Sequence, residues 1–149
     1  MDNKETKVTS KEILGLSDDM VEGMYGQAYQ LYQTGKYKDA AQLFQLLIMV
    51  NSTEPKFHLS LAACLHMMKD YASAADAYAI CSALDSDNPL PHYHASDCYL
   101  QLNDPYSALA ALELTMERAG SKPQFQIIKD RSKLTAETLK KTLKERENV

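Results

Sequence analysis

Three five-residue segments close on an alanine at intervals of 34 residues: Lys36-Tyr-Lys-Asp-Ala40, Asp70-Tyr-Ala-Ser-Ala74 and Asp104-Pro-Tyr-Ser-Ala108. A unit of that length holds two helices and a turn but cannot bury its own apolar face. The chain must therefore gain its core by stacking successive units against one another.

Taking the alanine as position 20 of each unit starts the three copies near Val21, Pro55 and Pro89. Position 8, where the two helices of a hairpin approach closely, is Ala28, Ala62 and Ser96, all small. Position 24, a large residue packing into the next unit, is Phe44, Tyr78 and Leu112; position 11 is Leu31, Leu65 and Tyr99, and position 17 is Tyr37, Tyr71 and Pro105. This period and this small-large pattern are those of the tetratricopeptide repeat. Gly35 suits the left-handed end of a first helix, whereas Lys69 and Asn103 stand at the same place in the other units, and lysine is a poor residue there. Pro55 and Pro89 fall where a helix starts, which proline tolerates because its missing donor would have no partner. Leu43, Leu46, Leu47 and Val50 mark one buried face of the first unit's second helix, and no stretch alternates with period two.

The expected fold is all-α: three tandem tetratricopeptide-like hairpins over residues 21–54, 55–88 and 89–120, with an N-terminal helical segment and a C-terminal capping helix. Residues 1–9 read as disordered, and 10–149 as one domain. Lys11-Glu-Ile-Leu14 offers a short helical turn before Gly15 and the cap-like Ser17. Ser121-Lys-Pro-Gln124 has capping-box spacing and is expected to open a helix over 122–147 bearing Phe125, Ile127, Ile128, Leu134, Leu139 and Leu143. That helix covers the apolar end of the third unit, and its last turns, from about Thr138, are expected to protrude or to meet a second subunit.

Net charge is −4, divided unevenly: residues 1–120 carry 8 basic and 16 acidic side chains, and residues 121–149 carry 8 and 4. An acidic body disfavours nucleic acid, and the absence of 18 consecutive apolar residues disfavours direct membrane insertion. Cys64, Cys81 and Cys98 are an odd number at spacings that match neither a metal pair nor a redox dithiol, and read as buried packing in a reducing cytoplasm. His92 and His94 lie about 200° apart on a helix and cannot easily share an ion, while His58 and His92 share one repeat position, which points to an architectural role. No phosphate loop, nucleophile elbow or His-Glu-x-x-His motif occurs, so neither an enzyme nor a cofactor or metal protein is expected.

The functional signal lies on the first helix of each unit, which lines the concave side of such a stack. Its inward positions are Glu22, Tyr25, Tyr29, Tyr32 and Gln33; then Lys56, Leu59, Ala63, His66 and Met67; then Leu90, Tyr93, Asp97, Leu100 and Gln101. Tyrosines bury large areas at low entropic cost and offer hydroxyls to a peptide backbone, so this wall suits an extended segment with spaced apolar side chains. An acidic chaperone tail would need a basic cluster, and only Lys56 is there.

Tyr32-Gln-Thr-Gly-Lys-Tyr-Lys-Asp-Ala40 with Phe44-Gln-Leu-Leu47, Leu59-Ser-Leu-Ala-Ala-Cys64, and His94-Ala-Ser-Asp-Cys-Tyr-Leu100 resemble the class II chaperones of bacterial type III secretion, the SycD/LcrH-like group. The resemblance runs from about Asp18 past Lys122. It implies a cytoplasmic chaperone that holds a short extended segment of hydrophobic translocator proteins, often with a proline-leucine-proline pattern, in its concave groove. By matched position the groove falls on Tyr25, Tyr29, Tyr32, Leu59, Ala63, His66 and Tyr93. It also implies homodimerisation through the N-terminal segment, around Ile13 to Met20. Lys69 and Asn103 replace the group's usual turn glycines and Pro105 replaces an apolar residue, so an altered third-repeat geometry is expected; tyrosine at 29 and 93 makes the groove more polar. The alternative is a scaffold that bridges two folded partners, one in the groove and one on the basic C-terminal helix.

Overall fold

A computed structural model describes residues 8–148, so most of the segment expected to be disordered, 1–7, lies outside the described residues. Within them the chain forms eight α-helices and no strand: α1 (Ser10–Ile13), α2 (Asp18–Gln33), α3 (Tyr37–Val50), α4 (Pro55–Met67), α5 (Tyr71–Leu84), α6 (Leu90–Gln101), α7 (Pro105–Ala119) and α8 (Gln126–Glu147). Helices α2 with α3, α4 with α5, and α6 with α7 form three antiparallel hairpins; each packs on the next, and α8 lies on α7. No described helix is long and apolar enough to cross a membrane.

The 34-residue register explains the packing. Ala40, Ala74 and Ala108 are all fully buried, as are Ala28 and Ala62, with Ser96 nearly so. A side chain larger than a methyl at these positions would hold the paired helices apart. Phe44 and Tyr78 are buried in the clusters that join one hairpin to the next, and Leu112 is buried in the third hairpin. Burying a side chain such as Phe44 or Leu112 contributes about 1.5–3 kcal/mol. Cys64, Cys81 and Cys98 are buried and unpaired, and burial pushes each thiol up to about 11.

The three hairpin turns have one geometry despite their different residues. Gly35, Lys69 and Asn103 all take positive φ, at 81°, 63° and 56°. In each, the N–H of the following residue reaches back to the carbonyl five residues earlier: Lys36 to Leu31, Asp70 to Leu65 and Asp104 to Tyr99, at 2.9–3.0 Å. This double-bonded helix ending satisfies carbonyls that would otherwise be orphaned. The altered third-repeat geometry expected from Asn103 and Pro105 is therefore not found. Pro105 sits in the first turn of α7, where its missing N–H costs nothing, and Asp104 caps that helix by accepting from the Ser107 N–H at 3.1 Å.

Other expectations need correction. Leu46 is exposed; the buried face of α3 is Ala40, Phe44, Leu47 and Val50, a spacing of three and four that Leu46 does not share. The capping box at Ser121 does not form, because Pro123–Phe125 makes a 3-10 turn with no side-chain cap and α8 begins only at Gln126. On α8 the buried residues are Ser132, Ala136 and Leu143, whereas Ile127 and Leu134, seven apart on one face, are exposed. The end of α8 does not protrude from Thr138: Leu139 and Leu143 meet Leu100 and Pro105 of the third hairpin around one shallow hollow. At the other end, Thr9 and Glu12 close a capping box on α1, and Ser17 caps α2 by accepting from the Met20 N–H at 3.2 Å.

Candidate functional site

Helices α2, α4 and α6 present their inward faces to one continuous concave surface. Its main hollow, of about 470 Å³, is lined by Tyr25, Tyr29 and Tyr32 from α2 and by Leu59, Ala63 and His66 from α4. Tyr93 and Asp97 line a second hollow, of about 360 Å³, between α6 and α8. His66 and His94 border both, so the two hollows meet over these histidines. The structure thus brings to one surface the seven residues matched to the groove and, with them, Asp97; of the other inward positions, Met67 lines the main hollow and Leu100 the second.

The floor is aromatic and rigidly braced. The Tyr25 ring lies 5.9 Å from Phe44 and 5.8 Å from Phe57 and stacks on Tyr29, which leaves Tyr29 nearly half exposed at 47%. Tyr32 meets Tyr37 edge-on, and burial raises its hydroxyl above the ordinary phenol range. Lys56 holds its ammonium 4.7 Å over the Tyr25 ring, a cation–π contact at the outer edge of the wall.

Beyond the inward positions, Phe44, Ser60, Tyr78 and His94 also line the main hollow. Phe44 and Tyr78 hold the seam position of the repeat and also show an edge to the groove. A tyrosine where the other units have phenylalanine and leucine was a usable signal, since a buried hydroxyl needs a partner. The Tyr78 hydroxyl finds one in His66 Nδ1 at 3.0 Å, and His66 Nε2 lies 2.6 Å from Asp97 Oδ2. In the neutral ring, Nε2–H donates to Asp97 and Nδ1 accepts from Tyr78, which ties α4, α5 and α6 together beneath the groove. Burial keeps the Tyr78 hydroxyl protonated. His94 stacks on Tyr78, and burial, then the neighbouring His66, lowers its affinity for a proton. His58 and His92 stand away from this floor; His58 Nε2–H donates to the Ser52 carbonyl at 2.7 Å, holding the α3–α4 loop. No group of three or more potential metal ligands occurs among the described residues.

A surface of tyrosine edges, aliphatic floor and few charges can hold an extended chain by packing while bonding its backbone. The tetratricopeptide repeat family model matches residues 21–50 and 56–88. Over 130 residues the chain is 35% identical to the low calcium response locus protein H of Yersinia pseudotuberculosis, covering 86% of this chain and 77% of the relative. It belongs to the class II type III secretion chaperones. This class II chaperone is also similar to SycD of Yersinia enterocolitica solved with a peptide of the translocator YopD: TM-score 0.81, 32% identity, 85% of this chain and 96% of that one. SycD has also been solved as an alternative dimer. PcrH of Pseudomonas aeruginosa, solved with the chaperone binding region of PopD, superposes with a TM-score of 0.82 at 29% identity over 86% of this chain and 96% of that one.

Proposed function

We propose that this class II chaperone holds an extended apolar segment of a hydrophobic translocator protein in the groove of α2, α4 and α6, keeping that protein soluble in the bacterial cytoplasm before export. The observation that carries the reading is the half-exposed Tyr29 on the braced Tyr25 platform, facing an aliphatic floor of Leu59 and Ala63. Complexes of SycD with a peptide of the translocator YopD and of PcrH with the chaperone binding region of PopD support it from the same fold. Tyr25, Tyr29, Tyr32, Leu59, Ala63, His66, Tyr93 and Asp97 would contact the segment.

The mechanism needs no catalysis. Binding an aggregation-prone segment lowers the concentration of its free form by mass action until the export machinery removes it. A homodimer through residues around Ile13 to Met20 fits the same reading, because Ile13, Leu14 and Met20 expose large apolar side chains at the N-terminal edge. The test is Tyr29→Ala combined with Tyr93→Ala, co-expressed with a hydrophobic translocator. Helicity by circular dichroism should be unchanged and co-purification lost; unchanged recovery of the translocator sinks the groove assignment.

A further inference from the structure

We propose that Asp97 is a specificity-determining residue that reserves the junction of the two hollows for a lysine or arginine side chain of the bound segment. The inference rests on the peptide-holding role of the groove and adds to it the chemistry of one cargo position.

The repeat register makes Asp97 singular. It occupies the same inward position as Tyr29 and Ala63, so an otherwise uncharged row ends in a carboxylate at the third repeat. The carboxylate is not a flexible surface group. Its Oδ2 is held by His66 at 2.6 Å, and His66 is fixed in turn by the Tyr78 hydroxyl and by edge-on contacts with the Tyr71 and Tyr78 rings. Among the described residues no other hydrogen bond or ion pair reaches Asp97, which leaves Oδ1 with free acceptor sites, and half of the side chain's surface is open.

A segment running from the main hollow into the second passes His66 and reaches this carboxylate beside it. Tyr93, Leu100 and Leu112 line the same hollow, with Ser96 and Thr135. An apolar cargo side chain seated there would strip water from an ionised oxygen and give nothing back, which is costly; an acidic one would add repulsion. An ammonium or guanidinium replaces the lost water with a charge-assisted hydrogen bond. The excess of acidic residues over 1–120 attracts such a cation from a distance. A lone carboxylate at one end of the wall also gives the groove a direction, with the basic residue of the cargo toward the third repeat.

The test is display selection of random 12-residue peptides against the full chain and its variants Asp97→Asn, Asp97→Lys and Tyr29→Ala with Tyr93→Ala. Asparagine still accepts from His66, so Asp97→Asn keeps the brace while removing the charge; circular dichroism verifies each fold. The wild type should select apolar peptides with Lys or Arg enriched at least ~5-fold at one place relative to the apolar anchors. Asp97→Asn should lose that enrichment, and Asp97→Lys should replace it with Asp or Glu. Apolar peptides without basic enrichment, or enrichment indifferent to the charge at 97, overturn this inference and leave the groove standing. If no selected peptide depends on Tyr29 and Tyr93, the groove reading falls as well.

Discussion

Lys69 holds the left-handed backbone, φ 63°, that Gly35 holds at 81° one repeat earlier, and both close the same pair of turn hydrogen bonds. The left-handed region costs an L-residue about 1–2 kcal/mol, while glycine gives back about 0.5–1 kcal/mol through the greater freedom of its unfolded chain. Lys69→Gly should therefore stabilise by about 0.5–1 kcal/mol in urea unfolding. Asn103→Gly should gain less, since asparagine tolerates this region. A Cβ at Gly35 would meet no atom within 4 Å, so Gly35→Ala should destabilise through backbone strain alone.

Ala74 stands in the middle hairpin with no exposed surface, opposite the equally buried Ala62. Ala74→Leu should cost about 1–3 kcal/mol by forcing the hairpin open, and the effect should spread to both neighbouring repeats. A loss of unfolding free energy below about 0.5 kcal/mol in urea would mean that the helices are not in close approach there.

Stability should be greatest on a plateau between about pH 6.5 and 9. Burial, with Arg118 near His92 and His66 near His94, lowers both histidines below 6.5, so below that pH the unfolded chain binds more protons and stability falls. Burial raises the three thiols from 9.0 to about 11, so the unfolded chain loses protons first and stability falls as pH rises through that interval. Urea midpoints measured from pH 5 to 11 check both limbs, and His94→Gln should weaken the acid one. The same burial predicts that a thiol reagent at pH 8 modifies none of the three cysteines until the protein is unfolded.

Leu143 is buried at the third repeat and Ser132 and Ala136 pack inward on α8. Removing residues 138–149 should lower the melting temperature by several degrees and leave cargo recovery intact. Selective loss of one of two partners would instead favour a bridging scaffold.

The features legible in the sequence were those that repeat. Ala40, Ala74 and Ala108 set the register, and that register alone put Tyr25, Tyr29, Leu59 and Tyr93 on one wall, where the structure has them. The His66–Asp97 bond escaped, because it joins residues 31 apart and depends on how one hairpin leans on the next rather than on a shared position. His94 escaped for a related reason: it lies one position from the inward row and reaches the floor by stacking on Tyr78. At the C-terminus, Ser121 has the spacing of a cap, but Pro123 begins a 3-10 turn there, so the hydroxyl has no helix to cap.

Photocrosslinking from within the groove reports directly on what the groove holds. With a photoreactive phenylalanine at position 29 or 93 and a hydrophobic translocator co-expressed, irradiation should form an adduct whose crosslinked site maps to one short, extended apolar stretch of the translocator. A translocator that co-purifies fully yet gives no adduct from either position would mean that it is held elsewhere than in the groove.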